Sequence, residues 1–255
     1  MGLLKKRSAI LVRDGRAKEI KDWVAAEGSY NLYINDTLLD TIEVSPTDLE
    51  AHALGYVVTE GIVESEDVQG VERHGDKIIV STSMKKRLPL KAQHRNLLYG
   101  RREWGKIPLV SSTLQVTPAL IIQCAQQIPE QSESWRKTGG IHCSILFDQQ
   151  GKVIKVAEDI GRWNTIDKVV GYGLLHHIPL PQTILGCSGR QPEGMVLKAA
   201  RAQIPIVVSK AAVIDRGVEA AEHLGVTLIG FARENRFTIY AHPERVQVVF
   251  SPALR

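Results

Sequence analysis

From residue 107 onward the apolar residues switch repeatedly between two periods, and this alternation limits the fold more than any other feature of the chain. "VTPALIIQCAQQI" has helical spacing, with Pro118 in a first turn where its missing N–H costs nothing. "IHCSILFD" and "KVIKVAEDI" are short apolar runs separated by the turn residues Gln149-Gln150-Gly151. "WNTIDKVVGYGLLHH" returns to helix, "QTILGCSG" to a buried strand and "GMVLKAARAQ" to helix. "IPIVVSK" is a strand and "VIDRGVEAAEHLG" a helix, and "VTLIGFA" and "RFTIYA" end the series as strands. Strands interleaved with helices call for a partly parallel sheet covered by helices on both faces. A further short strand is expected at Leu109-Val110, running into Ser111-Ser112-Thr113 ahead of the helix at Thr117-Pro118.

The first part of the chain has a different rhythm. "SYNLYIN" and "DTLLDTIEV" alternate apolar and polar residues, and Asn35-Asp36 between them has hairpin chemistry. Leu49, Ala53, Leu54 and Val57 share one helical face, with Thr47 as the expected N-cap and Gly61 as the stop. "VQGVERHG" and "DKIIVSTS" read as strands joined at Gly75-Asp76. The pattern predicts a small α+β N-terminal domain with a basic linker over residues 1–106 and a larger α/β domain over 107–255. The Lys/Arg-rich stretch Met84–Lys106 reads as that linker or a surface helix, or as an electropositive lip for an anionic ligand.

Composition excludes several function classes. With 255 residues, 44% hydrophobic and 24% charged, the chain has the make-up of a globular protein with a sizeable core. A net charge of +4 and a pI near 8.9 suit an anionic ligand but fall short of a nucleic-acid-binding surface. Met1–Arg16 has no long apolar core of a signal peptide, and no apolar run reaches the roughly 18 residues of a membrane span. A cytoplasmic protein without nucleic-acid or membrane partners is expected. Cys124, Cys143 and Cys187 are too scattered for a disulfide framework or a zinc site, so no metal ligand is assigned.

In α/β folds, ligands collect beyond the carboxyl ends of the strands. Four segments are expected there. "TGGIHCS" pairs Gly139 and Gly140 ahead of His142 and Cys143, which allows a close backbone approach to a ligand. "AEDIGRWNTIDK" sets Glu158, Asp159, Arg162, Asn164 and Asp167 around a strand-to-helix turn, and "GCSGRQPEG" brings Arg190 to another. "GFARENRF" puts Phe231, Ala232, Arg233, Glu234, Asn235 and Arg236 in a tight connection between two strands. Glycines, arginines and helix N-termini together suit an anionic, phosphate-bearing ligand. Three other signals fail. "GYGLLH" ends a helix and lacks the third glycine of a dinucleotide fingerprint, and "HPE" has no P-C-x-x-C after it. Gly186-Cys187-Ser188-Gly189 lacks the spacing of a nucleophile elbow.

Taken in order, "LGYVVTEGIV", "TGGIH", "EDIGRWNTIDK", "SGR", "LKAARAQIPI" and "GVTLIGFARENRF" resemble the FdhD/NarQ family of formate dehydrogenase accessory proteins over most of the chain. The resemblance implies a cytidine-deaminase-like three-layer C-terminal domain without zinc, a smaller N-terminal α+β domain, and a homodimer. It also implies a sulfur carrier that receives a persulfide from a cysteine desulfurase. The sulfur goes to the molybdenum bis-molybdopterin guanine dinucleotide cofactor, bound as cargo and destined for formate dehydrogenase or a related molybdoenzyme. The guanine nucleotide end is implied to lie against Phe231–Arg236.

Three positions depart from that pattern. The family's C-x-x-C, whose first cysteine takes the persulfide, falls on Thr113 and Val116. A hydroxyl cannot carry sulfane sulfur, because the exchange requires a thiolate. Trp163 stands for the histidine of G-R-H-N, and Pro192 and Gly194 for a serine and a glutamate after "SGR". Two function classes follow: a sulfurtransferase using another cysteine, with Cys143 beside His142 as the candidate nucleophile, or a non-catalytic cofactor-binding paralogue.

Overall fold

The structure, a computed structural model, describes residues 2–83, 104–131 and 133–249. Most of the basic stretch expected as linker or lip, residues 84–103, lies outside the described residues. The chain opens with two strands not expected from the sequence, β1 (Leu4–Arg13) and β2 (Arg16–Ala25), paired antiparallel as a two-stranded hairpin. Asp14 and Gly15 turn it, both at positive φ (51° and 73°), as a two-residue hairpin turn of this kind requires. Its residues are largely exposed, Ile10 and Val12 among them.

A four-stranded sheet follows, in the order β4-β3-β6-β5, from β3 (Gly28–Ile34), β4 (Thr37–Val44), β5 (Val68–His74) and β6 (Lys77–Thr82). Helix α1 (Leu49–Thr59) packs on it, and Leu32, Ile34, Ile78, Val80, Leu54 and Val57 form their common core. Both hairpin turns lie where expected, at residues 35–36 and 75–76. Thr47 does not cap α1. The N-cap is Asp48 in a left-handed conformation, and Thr47 Oγ1 instead accepts a hydrogen bond from Lys168 Nζ at 3.2 Å.

The second sheet has six strands in the order β12-β11-β10-β9-β7-β8. They are β7 (His142–Phe147), β8 (Val153–Asp159), β9 (Ile184–Cys187), β10 (Ile206–Ser209), β11 (Thr227–Arg233) and β12 (Arg236–Ala241). β9, β10 and β11 run parallel, and β7, β8 and β12 pair antiparallel at the two sides. Helices α4 (Arg162–Leu175), α5 (Glu193–Arg201) and α6 (Asp215–Leu224) cover one face around Ile166, Val169, Leu197 and Leu224. α2 (Pro118–Gln131) covers the other through Ile121, Cys124 and Ile128. The short α3 (Glu133–Thr138) leads into β7. Helices therefore lie on both faces of a partly parallel sheet, as the alternation requires.

The expected strand at Leu109-Val110 is absent. Those residues are irregular, the Val110 N–H bonding to Leu224 O at 2.9 Å and Val116 forming an isolated bridge to Val246. Helices α1 and α4 cross at two glycines. A Cβ on Gly55 would overlap the Asp167 carbonyl, and one on Gly171 the Ala51 carbonyl. Only glycine permits backbones this close.

Candidate functional site

The topology gathers one set of chain segments at one edge of the six-stranded sheet. β9 leaves that edge at Cys187, β10 at Ser209 and β11 at Arg233. β7 runs the opposite way and enters it at His142, paired across to Asp159 at the end of β8. Four sequence-predicted segments therefore converge because of strand direction. A cavity of about 410 Å³ opens there, lined by Ile128, Trp135, His142, Ser188, Lys210, Ala211 and Arg233. A neighbouring hollow of about 220 Å³ is lined by Phe231, Arg233, Arg236, Phe237 and Thr238.

Backbone and hydroxyl hydrogen bonds hold the cavity wall. Ser188 N–H donates to Cys143 O at 2.9 Å, and Cys143 N–H donates to Ser188 Oγ at 2.9 Å. Ser209 Oγ donates to Gly189 O at 2.8 Å and accepts from the Ala211 N–H at 3.0 Å. The Phe231 N–H donates to Ala211 O at 3.1 Å, and Phe231 sits at φ 51°. That is an uncommon conformation for a bulky residue, and such strain concentrates at functional sites.

Cations crowd this edge. Burial, then Arg162 and also Arg190, hold the His142 imidazole below the ordinary histidine pKa, against the pull of Asp159. Burial and the neighbouring Arg190 likewise lower the Arg162 guanidinium, whose Nε is buried without a hydrogen-bond partner. A Cβ on Gly189 would come within 3.2 Å of Arg162 Cβ and 3.4 Å of His142 Nδ1, so the chain is packed closely behind these groups. Cations that repel one another in a half-buried site are relieved by an anion, and an orphaned guanidinium nitrogen offers a donor to it.

Several expected ligand contacts turn out to be architectural. Asp159 is fully buried, accepts hydrogen bonds from the Ser45 N–H (2.9 Å), the Gly161 N–H (2.9 Å) and Asn164 Nδ2 (2.8 Å), and pairs with Lys168 at 2.7 Å. Asn164 also donates to Glu43 O at 3.0 Å. Asp167 pairs with Lys198 at 2.7 Å and accepts from Thr59 Oγ1 at 2.5 Å. Of the polar residues in "EDIGRWNTIDK", Arg162 and Asp159 act on His142 in opposite senses, Arg162 lowering its pKa and Asp159 raising it. Asp159, Asn164, Asp167 and Lys168 fasten α4 and β8 to residues 43–59, the end of the four-stranded sheet's β4 and α1. Ala232 is packed in the sheet core, so its side chain is not a ligand contact. Gly139, at φ 62°, ends α3 by donating its N–H to Trp135 O at 2.8 Å, and a Cβ there would meet nothing within 4 Å. Its glycine serves the turn rather than a close ligand approach. Gly140, Glu234 and Asn235 are exposed at the same edge, Glu234 at φ 49° in the β11–β12 turn.

The expected exposure of Cys143 is corrected by the structure: its accessible fraction is 1%, because the side chain points into the core with Ile145 and Phe147. Cys187 is pushed up to about 12, chiefly by burial, and Cys124 also to about 12 by burial and then Asp148. Thr113 is exposed, but at the other edge of the sheet. Ser112 Oγ donates to Pro181 O (2.7 Å) just before β9, and Gln203 Nε2 to Pro108 O (3.2 Å) just before β10. A whole strand length, about 13 Å for four residues, thus separates this loop from the cavity.

Sequence reasoning missed Trp135, Ile128 and Lys210. Lys210 follows the carboxyl end of β10, so the strand-end rule applied to "IPIVVSK" finds it. Trp135 has no comparable local signal. Among the described residues, no group of three or more His, Cys, Asp or Glu is placed to hold a metal ion, and no helix is long and apolar enough to cross a membrane.

Residues 25–247 match the model of the FdhD/NarQ family. The chain is 34% identical over 242 residues to the sulfur carrier protein FdhD of Wolinella succinogenes, covering 90% of this chain and 84% of that one. It is 32% identical over 254 residues to the protein of the same name from Methanothermobacter thermautotrophicus, covering 96% and 100%. A crystal structure assigned as a formate dehydrogenase accessory protein from Desulfotalea psychrophila superposes with a TM-score of 0.84 at 26% identity, over 96% of this chain and 100% of that one. With a family match over nearly its whole length and a backbone that follows a solved relative, this chain belongs to the FdhD/NarQ family.

Proposed function

We propose that this chain is an accessory protein for formate dehydrogenase or a related molybdoenzyme. Its strand-end cavity holds the guanine nucleotide end of the molybdenum bis-molybdopterin guanine dinucleotide cofactor, its cargo. The observation that carries this reading is the arginine pair Arg162 and Arg190 acting on His142, with the unpartnered Arg162 Nε, at the edge where His142 and Arg233 line the cavity. A diphosphate neutralises these charges, and Arg233 and Arg236 offer bidentate pairing to it. Gly140, Glu234 and Asn235 form the rim. The protein works as a homodimer in the cytoplasm and carries no zinc.

Sulfur carriage, for which the relatives are named, needs an accessible thiolate. A thiol with a pKa of about 12, as at Cys124 and Cys187, is ionised at pH 7 in about one molecule in 10^5. Cofactor holding is therefore the part of the family's work that this geometry supports best. A second reading keeps sulfur transfer from a cysteine desulfurase on Cys143, whose backbone lies in the cavity wall through its bonds to Ser188. It requires β7 to open.

Calorimetric titration with GDP tests the first reading. Binding is expected, weakened about tenfold to a hundredfold by Arg233→Ala, as for loss of a charged hydrogen bond. No heat at millimolar GDP refutes it. Incubation with a cysteine desulfurase and cysteine, followed by intact mass measurement, decides the second. One added sulfur that disappears in Cys143→Ser establishes it, and no added sulfur rejects it.

A further inference from the structure

Strands β1 and β2 pair with each other and, among the described residues, with no other strand. Their outer edges therefore run unpaired for ten residues each. A two-stranded hairpin is at best marginally stable alone in water, and a long open edge is a template for another strand. All of this hairpin except Ala25 lies ahead of residues 25–247, the stretch shared with the family. The Ala26 N–H donates to Leu3 O at 2.8 Å, which fixes the phase of the ladder. Even-numbered residues of β2 turn their backbone groups toward β1, and Ala17, Glu19, Lys21 and Trp23 turn theirs outward. The two edges also differ in charge. β1 carries Lys5, Lys6, Arg7 and Arg13 with no acid, whereas β2 sets Glu19 and Asp22 among Arg16, Lys18 and Lys21.

We propose that the β2 edge pairs antiparallel with the β2 edge of a second copy of this chain, about a two-fold axis at Ile20, so that two hairpins become one four-stranded sheet. In this register Ile20 faces the partner's Ile20, Glu19 faces the partner's Lys21, Lys18 faces the partner's Asp22, and Ala17 faces the partner's Trp23. The axis repeats each charged pair, and all of these residues but the half-buried Ile20 are exposed. The ladder phase agrees. Glu19 and the partner's Lys21 both turn backbone groups outward and form a hydrogen-bonded pair, which leaves the two Ile20 residues as the closer non-bonded pair. A shift to the next register in that phase sets Glu19 against Glu19 or Lys21 against Lys21 at the axis, and like charges directly opposite are destabilising. Two β1 edges offer no opposite-charge pair in any register, because β1 has no acid. Contact between identical edges about a two-fold axis closes at two copies rather than building a fibre. The inference rests on the homodimer in the proposed function, gives that dimer an interface, and makes no use of the strand-end cavity.

Sedimentation equilibrium of the full chain, with charge-swap variants, tests the interface. The parent should be a dimer. Glu19→Lys and Lys21→Glu should each weaken it by about tenfold or more, since each turns two attractive cross-strand pairs into repulsive ones. An equal mixture of the two variants should dimerise again, because the acids of one copy then face the lysines of the other. A folding defect would not be rescued by mixing. Ile20→Cys should give a disulfide-linked dimer under mild oxidation, because opposed Cα atoms of a non-bonded pair lie about 4.5 Å apart, within disulfide reach. Lys18→Cys should not link, and the three native cysteines are buried. A parent that stays monomeric at every concentration overturns the interface and the homodimer together, while GDP binding would still support cofactor holding. A dimer that withstands Glu19→Lys and leaves Ile20→Cys unlinked is formed by another face and overturns this interface alone. A dimer that passes these tests but binds no GDP supports the interface and removes the cofactor reading.

Discussion

Replacing Lys198 with methionine should cost the protein several kcal/mol in a pH-dependent way. Lys198 Nζ lies 2.7 Å from Asp167 Oδ1, 2.7 Å from Glu60 Oε1 and 2.9 Å from Thr59 Oγ1. All these charges lie in the seam between α1, α4 and α5, with side chains no more than 4% exposed. Burial opposes the Lys198 charge, but Asp167 and Glu60 outweigh it and hold the ammonium above its ordinary pKa. Methionine keeps most of the apolar stem and removes the cation, so two carboxylates stay buried with none to pair. Breaking a buried pair in this way costs about 3–5 kcal/mol. At about 2–4 °C per kcal/mol for a domain of this size, Tm should fall by about 6–20 °C in a thermal melt at pH 7.5.

The pH dependence follows from Asp167. Burial, helped by Glu60, raises its pKa above 3.8 even though Lys198 and Thr59 pull it down, and loss of Lys198 raises it further. A carboxyl whose folded pKa exceeds its unfolded value is without penalty below the unfolded value, and its penalty grows as pH rises through the folded one. Lys198 itself contributes a constant amount below pH 10.5, where it is charged both folded and unfolded. The gap between variant and parent should therefore narrow from pH 8 to pH 5. The neutral triple variant Glu60→Gln, Asp167→Asn, Lys198→Met should recover most of the loss. A Tm change below about 2 °C, or an equal change at both pH values, refutes the reasoning.

Gly55→Ala and Gly171→Ala should each destabilise by about 3 kcal/mol, the upper range for overpacking, because the new methyl meets backbone rather than a movable side chain; urea midpoints measure it. The three cysteines should resist a maleimide in the native protein and all react after denaturation, since each is buried; fast native labelling at one site contradicts its burial. His142 should titrate below 6.5 by NMR and move upward when pyrophosphate is bound, because the anion offsets the Arg162 and Arg190 fields. Thr113→Cys with Val116→Cys should accept sulfur from a cysteine desulfurase, because that loop is exposed at Thr113; failure to gain mass shows that more than the thiols has been lost.

The N-terminal hairpin carries one strong local signal and one weak one. Asp14-Gly15 is a strong hairpin signal, but the flanking strands carry lysines and arginines on both faces, so their period of two is weak. The elements after residue 107 are legible by type and order because they are long or flanked by turn residues. The strand at Leu109-Val110 was not there because its backbone groups are claimed elsewhere, the Val110 N–H by the end of α6. A local pattern of two apolar residues cannot reveal a distant partner of that kind.

Apolar periodicity, glycine placement and the order of strands and helices are local properties of the chain, so they predicted the helices on both faces of a mixed sheet and put cations at its edge. The facing of each polar side chain is set by what packs against it from far along the chain. Ser45 and Glu43, over 100 residues away, take up the hydrogen bonds of Asp159 and Asn164 and turn those residues into structure. The same strand that brings His142 to the cavity points Cys143 into the core, because successive side chains on a strand face opposite ways. Strand direction puts Thr113 at the far edge from Arg233, and Trp135 lines the cavity from α3, whose Ser134 Oγ donates to Glu158 at the end of β8. These outcomes depend on contacts between segments distant in the chain, which no window of sequence contains.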